Sequence, residues 1–158
     1  MRTMLVLAAV VGFVGPCFAQ HNLKDQIVGI WQEGDSVVAA MYTESYQFFA
    51  NGKFVFHTNS FDALERIKEI KGDYRLNADT LYLTATSRVE LVGGTVQPGQ
   101  PPVSGDWEID DYTLKEIKQI PPPAVNYIII EKCEKKSSNC LLFNKVPYYK
   151  TDSNPRNW

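Results

Sequence analysis

The residues of this chain with chemistry to offer are two histidines, a short run of carboxylates and a few cysteines. His57 follows an aromatic hairpin and falls on its outward face, so it reads as a surface residue. His21 sits close to the N-terminus, where it could meet a metal only together with a freed terminal amine; a solvated end is the plainer reading. One histidine in the folded body does not make a zinc cluster. Asp106, Glu108, Asp110 and Asp111 cluster in sequence. Paired carboxylates can transfer protons or hold calcium, but along a strand and turn Glu108 and Asp110 share one face and read as solvated. There is no Gly-x-Ser-x-Gly, no His-Glu-x-x-His and no phosphate-binding glycine loop. Gly93-Gly94 and Gly99 lie among prolines with no helix after them. No catalytic residue, metal or cofactor is expected, and the chain does not read as an enzyme.

The cysteines point to a crosslink. Cys17 lies in the N-terminal segment, which leaves Cys133 and Cys140 as an even pair. Between them Glu-Lys-Lys-Ser-Ser-Asn is polar and turn-like, and strand-like runs flank both sides. A structural disulfide across a hairpin neck is expected. A redox pair or half a metal site fits less well, since the spacing is not Cys-x-x-Cys and no histidine is near.

The elements that would position a binding surface are strands. Tyr46 to Phe56 reads as a hairpin turning at Ala50-Asn51-Gly52, with Gly52 in the left-handed position of a three-residue loop. That register pairs Phe48 with Phe54 and Tyr46 with Phe56, which puts four rings on one face and Gln47, Lys53 and Val55 on the other. Leu23, Ile27 and Ile30 have helical spacing and lead into a strand at Gly29-Ile30-Trp31. Residues 60–69 fit either a helix capped by Ser60 or the start of a strand. Ile70, Gly72, Tyr74 and Leu76 alternate with polar residues as in a half-buried strand; Asn77-Ala78-Asp79 turns, and a second strand runs from Leu81 to about Leu91. Gly93–Gly105, with four glycines and three prolines, is expected to be a surface loop. Trp107-Glu108-Ile109 reads as a strand, Asp110-Asp111 as a turn, and Leu114 to Ile120 as a strand ended by Pro121–Pro123. Tyr127–Ile130 and Leu141–Val146 complete the set, and the tail from residue 151 to 158 reads as loose. Tyr46, Phe48, Phe54, Phe56, Tyr74, Tyr82 and Trp107 are the candidates to line an interior that either packs solid or holds one small ligand.

The first 19 residues read as a secretion signal. Arg2 starts it, Met4–Val14 is uncharged and mostly apolar, and Gly15-Pro16 precedes Cys17-Phe18-Ala19 with small residues at the cleavage positions. Eleven residues are too few for a bilayer, which needs about 20. Cleavage after Ala19 leaves Gln20 first and 139 of the 158 residues, one domain over 20–150 by size. The remainder carries 15 Lys+Arg against 18 Asp+Glu, a net charge of −3 that offers no basic stripe to nucleic acid. A secreted or periplasmic location follows as the expectation.

The pattern is all-β: eight or nine mostly antiparallel strands with one short helix in front, which close into a barrel or pack as two sheets. Gly29-Ile30-Trp31 resembles the Gly-x-Trp signature opening lipocalins and their calycin relatives. Phe48–Phe56 is similar to the aromatic hairpin of small exported bacterial lipocalin-like domains, and Gly72-Asp73-Tyr74-Arg75-Leu76 with Leu81-Tyr82-Leu83 to their next two strands. The resemblance covers roughly residues 23–146. It implies a calycin-like barrel of about eight strands, with Trp31 plugging one end and, in that family, an arginine of the last strand against that tryptophan. Lys150 and Arg156 are the candidates for that residue.

Two functions fit. The first is an exported binding protein for a small apolar molecule. The second is a filled barrel that binds another envelope or extracellular protein through its Gly93–Gly105 loop and Pro121–Pro123 turn. A hollow interior favours the first, a solid core with apolar loop tips the second.

Overall fold

Most strand pairings join strands that are neighbours in sequence. The computed structural model describes residues 19–34, 43–59, 62–99, 107–118, 125–134 and 139–158. One helix, α1 (Ala19–Ile27), precedes nine strands: β1 (Gly29–Glu33), β2 (Ser45–Phe48), β3 (Lys53–His57), β4 (Ile67–Asn77), β5 (Thr80–Pro98), β6 (Trp107–Lys118), β7 (Val125–Lys132), β8 (Cys140–Phe143) and β9 (Val146–Asp152). The pairs run β4-β3-β2-β1-β9-β8-β7-β5, and β5 returns to β4. This is a closed, antiparallel, eight-stranded barrel, consistent with a calycin-like fold. β6 lies outside the closure as a ninth strand on the far half of β5.

The hairpin register is the one expected. Tyr46 faces Phe56 and Phe48 faces Phe54, with Gly52 at φ +80°. Asn51 Oδ1 accepts the Lys53 N–H at 3.2 Å, which holds the loop from inside. The inward row then continues across four strands, as Trp31, Tyr46, Phe56 and Ile70 stand opposite one another in turn. Trp31, Phe48, Leu81 and Leu141 are fully buried, and Phe54, Phe143 and Tyr148 join them in one core. α1 lays Ile27 and Leu23 on that core.

Several expected boundaries move. β5 does not stop near Leu91 but runs through Gly93 and Gly94 to Pro98, so the first half of the expected Gly93–Gly105 loop is strand. Both glycines take positive φ, 76° and 82°, and Gly94 lets the two backbones approach: a Cβ there would lie 2.8 Å from the Asp110 carbonyl oxygen. Asp110-Asp111 is likewise no turn. Both lie inside β6, where Asp111 absorbs the distortion at φ 56°; aspartate tolerates the left-handed region better than most residues. Leu141–Val146 divides at Asn144-Lys145, both at positive φ, into β8 and β9. This is the two-residue turn whose twist suits a hairpin. Ile67 already pairs in β4, which settles the later part of residues 60–69 as strand. Residues 1–18, Ser60, Phe61, residues 100–106 including Asp106, Pro121–Pro123 and the residues between the cysteines at 135–138 lie outside the described residues, as does the His21 side chain.

Cys133 and Cys140 are bonded, with Cα atoms 5.7 Å apart, across the mouth of the β7–β8 hairpin. Closing so short a loop removes about 2–3 kcal/mol of unfolded-state freedom in the chain-entropy account. No helix among the described residues is long and apolar enough to cross a membrane.

Candidate functional site

The two ends of the barrel differ. At one end Lys24 of α1 shares clefts with Ala50, Asn51 and Gly52 of the β2–β3 turn and with Asn77 and Ala78 at the β4–β5 turn. Here Trp31, fully buried, donates from Nε1 to the Ile27 carbonyl at 2.7 Å and leans on Phe143, ring centres 5.9 Å apart. Lys150, from β9, places Nζ 5.3 Å from the centre of the Trp31 ring and donates to the Gln26 carbonyl at 2.7 Å. Burial lowers the Lys150 pKa from its ordinary value. The last carbonyls of α1 are thus taken by an indole and an ammonium, groups that complement a helix C-terminus. Of the two candidates it is Lys150, a lysine where the resemblance implies an arginine, that lies against the tryptophan.

The other end holds a cavity. It is about 170 Å³, half open, and lined by Tyr46, Phe54, Phe56, Ile70, Leu83, Ala85 and Asn126. Three of the seven aromatic candidates line it. Phe48 is fully buried beneath, stacked on Tyr46 at 5.5 Å and edge-on to Tyr74 at 5.1 Å. Tyr74 belongs to the helix end, its hydroxyl donating to the Phe49 carbonyl at 2.8 Å. Tyr82 faces outward, where Arg75 covers its ring at 4.6 Å. Trp107 is 55% exposed on β6, away from the barrel interior.

Tyr46 is the hub of the mouth. Its ring lies 4.7 Å from Phe56, 5.7 Å from Phe143 and 5.6 Å from Tyr148. Burial drives the pKa of Tyr46 and Tyr148 well above the tyrosine range, and Glu44 and Glu33 add to it. Glu44 is itself raised by burial and then by Glu33. Both phenols therefore stay neutral, and the cavity wall is apolar apart from the Tyr46 hydroxyl and the Asn126 amide.

Residue pattern alone did not reveal a polar row on the outside of the sheet. Gln32, Ser45, His57 and Glu69 stand in register on four adjacent strands. The first three are buried, so His57 is not the surface residue expected. The reason is the C-terminal segment, which is not loose. Asp152 collects the Asn154 N–H at 2.7 Å and the Asn157 amide at 2.8 Å, and these hydrogen bonds hold its carboxyl below the usual range. The turn they close delivers Trp158 onto His57, rings stacked 4.3 Å apart. Hydroxyl, imidazole and carboxylate in a row have the residue types of a nucleophile relay. A relay needs the hydroxyl within hydrogen-bond reach of the imidazole. Ser45 Oγ and His57 Nε2 each lack a hydrogen-bond partner among the described residues, and Ser45 is fully buried. His57 Nδ1 lies 3.8 Å from Glu69 Oε1, longer than a hydrogen bond. Among the described residues, the row has neither its hydroxyl nor its imidazole Nε2 hydrogen-bonded.

Its consequence is a pH dependence. Burial lowers the His57 pKa below its ordinary 6.5; Glu69 opposes the shift and Lys71 adds to it. The folded protein thus binds this proton less readily than the unfolded chain. The contribution is complete above the unfolded value and is lost as pH falls through 6.5 toward the folded value. Urea unfolding at about pH 7.5 and about pH 5 is expected to show wild type losing more stability on acidification than His57→Gln. Equal losses in the two proteins would remove His57 as the cause.

No family model, curated protein or solved structure matches this chain.

Proposed function

We propose that this protein binds a small apolar molecule in the half-open cavity at the barrel mouth. The observation that carries this reading is the lining: six apolar or aromatic residues converge there with one amide, Asn126. Ligand pockets are commonly walls of this kind with few polar groups to fix orientation. The volume limits the ligand class. An apolar cavity of about 150 Å³ takes a benzene-sized molecule, whereas sites for larger ligands run from about 300 Å³ upward. A space of about 170 Å³ suits one ring or a short branched chain, and a long acyl chain would leave most of its length outside. The solid core below the mouth supports the same limit. The proposed setting is an oxidising compartment, in keeping with the Cys133–Cys140 bond and the N-terminal segment that reads as an export signal.

The test is titration of the folded protein with an environment-sensitive apolar dye, followed by displacement with single-ring aromatics and, separately, with fatty acids. Saturable one-to-one binding displaced by the small rings is expected. Ala85→Phe, which fills the cavity without truncating the core, should abolish binding while the circular dichroism stays that of wild type. No saturable binding by cooperatively folded wild type, or undiminished binding by folded Ala85→Phe, would overturn the proposal. The filled-barrel interaction module would then be the better account.

A further inference from the structure

Among the described residues, β6 is the one strand the barrel does not enclose. It hydrogen-bonds β5 from Ser87↔Lys118 to Pro98↔Trp107, and among the described residues nothing pairs with its other edge. An open edge of 12 residues is long for a protein that stays apart from its neighbours, because unpaired N–H and C=O groups form a template for another strand. This one also exposes Trp107, Tyr112 and Leu114 at 55%, 47% and 56%.

We infer that two copies of this chain associate edge to edge through β6, antiparallel about a two-fold axis at Thr113. The argument is one of register. In an antiparallel ladder, hydrogen-bonded and non-hydrogen-bonded positions alternate, so two identical strands related by a two-fold axis can pair only with one residue facing its own copy. With Thr113 facing Thr113, Tyr112 meets Leu114 of the second copy and Ile109 meets Ile117. Asp111 meets Lys115, and Glu108 meets Lys118. By symmetry each pairing occurs twice. Apolar residues face apolar ones, and two kinds of opposite-charge pair flank the centre. The single like-charge meeting is Asp110 with Glu116, and both are already occupied within their own copy. Asp110 Oδ2 accepts from Gln97 Nε2 at 2.9 Å, and Glu116 Oε1 accepts from Ser87 Oγ at 2.6 Å.

The neighbouring registers are worse. Centring on Tyr112 sets Glu108 against Glu116 and Ile109 against Lys115. Centring on Leu114 leaves Asp110–Lys118 as its one opposite-charge pair and puts Tyr112 against Glu116. The left-handed backbone at Asp111 bends the edge there. Main-chain bonds are therefore concentrated around Thr113, and the flanks are held by side-chain pairs. The axis at Thr113 stands opposite Val92, beyond the last β4–β5 pair at Ile67↔Glu90, and none of the β6 residues lines the mouth cavity.

Light scattering over a concentration series, with the chain beginning at Gln20, tests the inference. Wild type is expected to pass from monomer to dimer. Lys118→Glu turns both Glu108–Lys118 pairs into repulsions and should weaken the dimer roughly tenfold, since cross-strand charge pairs contribute fractions of a kcal/mol each. Glu108→Lys combined with Lys118→Glu restores opposite charges and should restore the wild-type dissociation constant. Both sites are outside the buried core, Glu108 on the arm beyond the barrel and Lys118 opposite Ser87 at the barrel wall, and retention of the fold is checked by circular dichroism. A wild type that stays monomeric throughout, self-association unaffected by Lys118→Glu, or a double variant no tighter than the single would each overturn the inference.

Discussion

Replacing Trp31 by alanine is expected to remove about 3–5 kcal/mol of stability, the range for deleting a large buried aromatic. That loss is of the same order as the whole margin of many domains, about 5–15 kcal/mol. Three effects combine. The indole is fully buried and leans on Phe143, so its removal leaves a cavity at the helix end of the core. Its Nε1 is the donor to the Ile27 carbonyl, so a helix-terminal acceptor loses its partner inside the protein. Lys150 loses the ring face it lies over while its charge stays partly desolvated. Trp31→Phe separates these effects, because it keeps an aromatic surface for Lys150 and Phe143 and deletes the hydrogen bond. It should cost roughly 1–3 kcal/mol. Urea unfolding followed by circular dichroism measures both, with the slope checked for change. An alanine variant within about 1 kcal/mol of wild type would show that the helix end is not where the barrel is held.

Where a structural feature is local, the sequence makes it legible. The Tyr46–Phe56 register depends on one glycine and on the separation of rings from polar residues, both visible in eleven letters. The α1–β1 junction and the Ala78-Asp79 turn are equally local, and both are found where expected. Features failed to show when a residue's environment came from a distant segment. Gly93-Gly94 looks like loop by composition, yet it is strand because β6 returns to pair with it and Asp111 distorts opposite. Asn144-Lys145 carries a turn that composition signals only at the asparagine, because lysine is no turn marker. His57 points outward as its register requires, but outward is not exposed once Trp158 lies on it. The aromatic candidates divided for the same reason. Tyr46, Phe54 and Phe56 share one hairpin face and meet at one cavity, while Tyr82 is on the wrong parity of β5 and Trp107 is on the arm. Parity within β5 was readable from Leu81 and Leu83. The position of β6 outside the barrel was not, because closure is decided by the β4–β5 pairing.

Gly72→Ala is expected to cost on the order of 3 kcal/mol, at the upper end for forcing extra atoms into a packed interior. Gly72 stands opposite Phe54 on one side and Ala85 on the other, where the β4–β5 register slips by one residue. At that slip the strands crowd together. A Cβ on Gly72 would lie 2.0 Å from the Thr84 carbonyl oxygen and 2.9 Å from Phe54 Cε1. The first contact is with backbone, so a side-chain rotation cannot relieve it and β5 has to move away. The second pushes the Phe54 ring toward the mouth cavity, which Phe54 and Ala85 both line. The variant should therefore lose stability and apolar dye binding together. Gly52→Ala is the control. Its Cβ meets nothing closer than the Tyr74 carbonyl at 3.5 Å, but its φ of +80° disfavours any side chain. Backbone strain alone predicts about 1 kcal/mol there, with dye binding unchanged. If close approach at the barrel wall is what requires glycine at position 72, Gly72→Ala will exceed Gly52→Ala about threefold in urea unfolding. Equal costs for the two, or a Gly72→Ala protein that still binds the dye as wild type does, would mean that β4 and β5 yield there easily and that Phe54 is not held against the cavity by the lack of a side chain opposite it.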